Sequence, residues 1–243
     1  MINRYAIKEN AKNLCRSSKP SLIVMGLIFT ALSIIVSSLS SKVLSTNVTQ
    51  DGFQRFMAAY AGGNYEKALT YADSFQPSRT GTFISALLSV VMWIVTAGFS
   101  IFVMNTVRGR EASYGNILDG FGMTFRIVVL NVLESLIIGL LCCLLIVPGI
   151  IFSYAYRQAL YILLDNPDKS VVQCLRDSRI MMKEHKMELF RMDLSFLGWF
   201  ILSAIIAPAE VWVAPYTKTS YVMYYEALRG ETTFSDFNAG QWF

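Results

Sequence analysis

Apolar residues in this chain fall in long blocks separated by short polar stretches, and the block lengths predict helices that cross a bilayer. A membrane core takes about 20 apolar residues at about 1.5 Å each. Six stretches read as spans: 20–39, 82–107, 127–147, 150–165, 188–206 and 209–228. Pro148-Gly149 predicts the turn between the third and fourth, because proline cannot continue the helical ladder and glycine tolerates turn angles. The fourth run, Ile150 to Leu164, covers only about 22 Å at helical rise against a core of about 30 Å. Either that helix continues past Asp165, or the membrane is pinched there, or the pair is re-entrant and never fully crosses. The fold class expected is all-α: one polytopic integral membrane helix bundle over residues 1–243, with about six transmembrane helices as three hairpins and short cytoplasmic amphipathic helices.

The polar stretches carry further elements. Residues 42–80 read as an extracytoplasmic loop, split by Gly62-Gly63 into helices over Gly52 to Ala61 and Asn64 to Ser74. Asn47-Val48-Thr49 matches a glycosylation sequon, a weak three-residue signal. Residues 168–186 read as an amphipathic helix. Its apolar side is Val171, Val172, Leu175, Ile180, Met181 and Met182, and Lys169, Arg176, Arg179, Lys183 and Lys186 supply the basic side. That helix suits the headgroup zone of an anionic leaflet, or packing on the protein's own cytoplasmic surface. Met1 to Lys19 reads as a short interfacial helix with Ile2, Ala6 and Leu14 on one side. A signal peptide is its rival reading, but the long basic region and the lack of a clear A-x-A site favour a retained anchor. Gly26, Thr30, Ser33 and Ser37 recur at helical spacing in the first span and predict a packing seam. Pro208 and Pro215 make the start of the sixth span irregular, and Lys218 is expected to snorkel outward.

An internal echo links the ends of two spans. RGREASYGNILDG follows the second and RGETTFSDFNAG follows the sixth, with Arg110 as the one inserted residue. In each, glycine ends the helix, and Ser113 or Thr233 caps a new short one. Ser170 holds a comparable place after the fourth span. The unit of short cytoplasmic helix plus hairpin is therefore expected three times.

The stretch PGIIFSYAYRQALYILLDNPDKSVVQCLRDSRIMMKEHKMELFRMDLSFLGW resembles the core of a bacterial family of polytopic membrane proteins catalogued as domain of unknown function 975. The resemblance is carried by Pro148-Gly149, Asn166-Pro167, Ser178, Met182-Lys183, His185-Lys186 and the run Leu194 to Trp199, with Pro215-Tyr216 and Tyr224-Tyr225 beyond. It extends over most of the chain, although Glu184 stands where the family more often has glycine. It implies a bacterial membrane protein and a fold, and no activity.

Composition agrees with the block pattern: 54% hydrophobic, 16% charged and a mean hydropathy of +0.45 are too apolar for an ordinary soluble domain. A net charge of +4 with no interleaved basic and aromatic residues gives no reason to expect nucleic acid. Most Lys and Arg fall in the segments read as inside, whereas the long outside loop holds only Lys42, Arg55, Lys67 and Arg79. The positive-inside rule then places both termini in the cytoplasm and the chain in the cell membrane as a multi-pass protein. Cys15, Cys142, Cys143 and Cys174 show no CxxC spacing, so structural disulfides are not expected. With His185 as the one histidine, no HExxH or histidine-rich metal site is possible, and no cofactor is implied.

The candidate chemistry is a polar layer inside the membrane. Depth counting places Glu134, Arg157 and Asp193 each about 10–12 Å from the inner face, with Asn131 nearby. A charge at that depth costs a few kcal/mol or more unless paired, so an Arg157–Glu134 contact is expected, with Asp193 as competing acid. A clasp between hairpins and a proton or substrate route are the two roles for it. The chain lacks GxSxG, a phosphate loop or a paired-carboxylate motif, so it reads as a non-catalytic membrane module: a scaffold, an assembly partner, or a factor in envelope homeostasis or immunity. A transporter or channel for a small solute, ion or lipid is the alternative. The partners expected are the bilayer, its anionic headgroups and another membrane protein.

Overall fold

A computed structural model describes residues 3–44, 50–73 and 79–230. The sequon, Ile2, and the second copy of the echo beyond Gly230 lie outside the described residues. Among the described residues every regular element is a helix. The helices are α1 (Arg4–Ser17), α2 (Leu22–Leu44), α3 (Gln50–Ala61), α4 (Tyr65–Asp73), α5 (Arg79–Val107), α6 (Thr124–Leu144), α7 (Ile146–Tyr156), α8 (Ala159–Asp165), α9 (Val171–Met181), α10 (Lys186–Ile205) and α11 (Glu210–Arg229). Short 3-10 turns at Tyr114–Met123 and Ala207–Ala209 precede α6 and α11. Among the described residues, three stretches are long and apolar enough to cross a membrane: Leu22–Val43, Arg79–Val107 and Tyr114–Leu144. The segments expected as spans four to six differ. Residues 150–165 are broken between α7 and α8, four charged residues crowd the first half of α10, and α11 carries Lys218, Glu226 and Arg229.

The chain forms two compact units, Leu32–Met92 and the combination of Met1–Ala31 with Trp93–Phe243, whose boundaries fall within α2 and α5. In the first unit, α3 packs on α4 across the expected glycine turn, with Gly63 at φ 73° and Tyr60 edge-on to Tyr65 at 5.8 Å. The second unit contains the remaining helices, and its core includes Phe99, Phe102, Phe196, Tyr224 and Tyr225.

Small residues let the helices of this second unit approach closely. A Cβ on Gly98 would stand 2.1 Å from the Ile117 carbonyl oxygen, and one on Gly120 would stand 2.4 Å from that of Ile94. The 3-10 turn after α5 is therefore folded back along that helix. Gly26 does the same against α11, where a Cβ would lie 2.6 Å from the Val211 oxygen. Pro215 has no N–H to offer that carbonyl, so it is left facing Gly26. With Thr30 also buried, the expected packing seam holds over these two positions.

Two expectations are corrected. The turn between α6 and α7 falls at Leu145 (φ −156°, ψ 127°), before Pro148-Gly149. Proline fits the first turn of α7, where its missing N–H would have no helical partner, and Gly149 instead lets α6 approach, with the Cys142 backbone 3.1 Å from a built Cβ. In α1 the buried stripe is Ile7, Ala11 and Cys15, one turn apart, and it packs on α11. Lys8 reaches the Ser195 carbonyl (3.2 Å) and hydroxyl (3.1 Å), so α1 is docked on protein by the Ile7, Ala11 and Cys15 face, which is not the side of Ala6 and Leu14. Burial also pushes the Cys15 thiol up to about 11, which keeps it protonated at neutral pH.

Candidate functional site: a polar cavity at a broken helix

The site begins with the break between α7 and α8. Arg157 and Gln158 form a turn there, which leaves backbone groups without helical partners. One hydroxyl from α9 satisfies two of them: Ser178 accepts from the Gln158 N–H at 3.2 Å and donates to the Ala155 carbonyl at 2.8 Å. The Gln158 side chain is buried, and its Nε2 points at the Met182 sulfur, 3.7 Å away. Ser178 is fully buried, so the prop is sealed from water.

Beside the break lies a cavity of about 440 Å³. Asn131 and Glu134 of α6, Arg157 at the break, Tyr161 of α8, and Lys218 and Tyr221 of α11 contribute its polar wall. The cations are held by aromatic faces in a reciprocal arrangement. The Arg157 guanidinium stacks on Tyr221, 5.1 Å from the ring centroid, while the Lys218 ammonium lies 5.5 Å from that of Tyr161. Asp193 stands behind Tyr221, accepting hydrogen bonds from the Tyr221 hydroxyl (2.7 Å) and the Tyr154 hydroxyl (2.9 Å). The Asn131 amide donates to the Ile127 carbonyl at 2.8 Å.

Asn131, Glu134 and Arg157 thus line one cavity, and Asp193 reaches it through Tyr221. The expected contact is not made: the ion pairs among the described residues include none between Arg157 and Glu134 or Asp193. Depth counting assumed a straight helix from Pro148 to Asp165, and the turn at Arg157 redirects that side chain onto Tyr221. Lys218 is a second correction. It lines the cavity instead of snorkelling outward, and the signal for this was its one-turn spacing from Tyr221.

The basic helix α9 is anchored by one face and open on the other. Cys174, Leu175, Ser178 and Met182 are buried against neighbouring helices, while Val172 and Ile180 are exposed at 67% and 62%. The apolar side read from the sequence is thereby divided between protein and surroundings. Arg176, Arg179, Lys183 and Lys186 surround Ile180 in a shallow depression. Lys169 pairs with Asp177 at 2.9 Å, and Arg179 leans on Phe152. Ser170 caps the helix through a reciprocal bond with Gln173, and Ser113 does the same with Asn116, as the echo predicts for these two positions.

One charged cluster escaped the sequence reading. Arg108 binds both oxygens of Asp165, and its Nε donates to Glu226 at 2.8 Å. Arg229 also donates to Asp165, as does the Tyr225 hydroxyl at 2.8 Å. Burial opposes the charge on Arg108, but the bonds to Asp165 and Glu226 more than offset it and hold the guanidinium charged. Arg108 and Arg229 are the arginines of the two RG echoes. Each is followed by a glycine with positive φ, 62° at Gly109 and 75° at Gly230. The repeated dipeptide therefore ends two helices and aims both arginines at one carboxylate.

Together, the fold and this site define, over the described residues, an all-helical protein with three stretches long and apolar enough to cross a membrane and a charged cavity. Residues 140–232 match the model of a family described as Protein of unknown function (DUF975). The resemblance read from the sequence is thus found in the segment from the end of α6 through α11, which includes Arg157, Asp165, Ser178, Asp193 and Lys218. Comparisons with curated proteins and with solved structures gave no match.

Proposed function

We propose that this chain is a non-catalytic, six-span protein of the bacterial cytoplasmic membrane, with both termini inside, that binds a small ligand in the cavity beside Arg157. The observation that carries the reading is the break at Arg157-Gln158, propped by Ser178 and opening onto fixed charges. Irregular backbone at membrane depth is tolerated where it is buried in protein or lines a cavity. The cavity suits recognition better than bond breaking, because the Ser153 and Thr217 hydroxyls in its wall donate to the Ile150 and Val213 carbonyls at 2.7 and 2.8 Å and both cations rest on tyrosine rings. Exposed Leu194, Leu197, Ile201 and Ile205 on α10 suit a lipid-facing span despite the charges in its first turns. The exposed Arg176 and Arg179 of α9, with Lys183 just after it, fit anionic headgroups at the inner surface.

Transport of a small solute, ion or lipid is the second reading, favoured by the same discontinuous helix, since transporters place such helices at their substrate sites. Reconstitution separates the two. The binding reading expects ligand retention by the purified protein with flux no greater than in empty vesicles. Flux that is abolished by Arg157→Gln would replace it with transport.

A further inference from the structure

We infer that the cavity holds a phosphate group between Arg157 and Lys218. This rests on the reading of the cavity as a binding site and names the chemistry of its ligand. Arg157 and Tyr161 lie one turn apart, as do Lys218 and Tyr221, and each cation rests on the other pair's ring. The crossing brings two positive charges to one cavity, whose wall also carries the carboxyl groups of Glu134 and Glu210. Neither cation has a carboxylate within ion-pair distance among the described residues. Asp193, the nearest acid behind Tyr221, already accepts from two tyrosine hydroxyls. Two like charges facing one low-dielectric space repel each other, and an anion between them relieves that repulsion.

A phosphomonoester matches the site in charge, carrying about two negative charges near neutral pH. It also matches in donors. The guanidinium offers a planar fork, the ammonium offers three N–H groups, and Tyr161 lines the same wall. A cavity of about 440 Å³ has room for more than the phosphate. Glu134 and Glu210 line that remaining space and suit a hydroxyl or amine carried by the rest of the molecule. The phosphate belongs to a lipid headgroup or to a soluble ester, two sources with one shared chemistry.

The test uses the full chain in detergent and a water-soluble amine-acetylating reagent, with Lys218 modification followed by peptide mass spectrometry. Three probes are added separately: phosphatidic acid in mixed micelles, glycerol 3-phosphate, and diacylglycerol as a phosphate-free lipid. A bound phosphate present at ten times its Kd slows Lys218 acetylation about tenfold. Protection by phosphatidic acid alone assigns a lipid source, and protection by glycerol 3-phosphate assigns a soluble one. Protection is expected to persist in Glu134→Gln and to disappear in Arg157→Gln. The measurement on the unmodified chain decides even where the second variant does not fold. Equal protection by diacylglycerol overturns the phosphate and leaves the cavity a ligand site. Protection by none of the three overturns the phosphate, and leaves the binding reading to the reconstitution experiment above.

Discussion

The guanidinium of Arg108 grips both carboxylate oxygens of Asp165, Nη1 to Oδ1 at 2.6 Å and Nη2 to Oδ2 at 2.7 Å. With Arg229 on the same carboxylate, the ends of α5, α8 and α11 meet at one residue. The Asp165 side chain is only 6% exposed. Asp165→Asn leaves two arginines without their shared charge and is expected to lower stability by about 3 kcal/mol, the scale for breaking a buried pair. Arg229→Gln should cost less, since that arginine is more exposed. Thermal unfolding in detergent measures both, and an unchanged midpoint for Asp165→Asn would remove the clasp from the account.

The contact between α5 and the turn after it is tested with alanine. Gly98→Ala drives a methyl group into the Ile117 carbonyl and is expected to cost about 1–3 kcal/mol as an overpacked site. Gly122→Ala meets nothing within 4 Å and serves as the neutral control. Equal unfolding midpoints for the two variants would show that the turn does not lie against α5.

Ser178→Ala removes the prop at the helix break. It leaves a buried N–H and a buried carbonyl without a partner, at about 1–3 kcal/mol each. Lower stability together with faster amide exchange at Gln158 is the expected result. Exchange at Gln158 unchanged from wild type would mean that the break does not depend on the hydroxyl.

These relationships were legible to different depths. The caps at Ser113 and Ser170 and the glycine ends at Gly109 and Gly230 depend on residues within one turn, so the sequence displays them directly. The clasp joins residues 57 and 118 positions apart, and no local pattern marks Asp165 as the common acceptor. The cavity was half legible. Burial cost singles out Asn131, Glu134, Arg157 and Asp193, but the partner of Arg157 depends on a turn that no proline or glycine signals. The buried face of α1 was misread because close packing on α11 selects small side chains, Ala11 and Cys15, over the more apolar Leu14.

The basic patch from α9 to the start of α10 predicts lipid-composition dependence. Neutralising Arg176, Arg179, Lys183 and Lys186 together should weaken contact of this segment with anionic lipid, at about 1 kcal/mol per residue. Lys169 should contribute less because Asp177 already pairs with it. A spin or fluorescent label at Val172 in vesicles with and without anionic lipid reads the effect. No difference between wild type and variant would leave α9 held by protein packing alone.

The membrane arrangement itself is tested most directly by accessibility. Single cysteines are placed at Lys12, Tyr65, Tyr114 and Lys183, in a background with the four native cysteines replaced by alanine. Intact cells are then treated with a membrane-impermeant maleimide. The six-span arrangement predicts labelling at position 65, with positions 12, 114 and 183 reacting only after the membrane is opened. Labelling of 65 and 114 from the same side would remove the first hairpin and, with it, the threefold arrangement of short helix and hairpin.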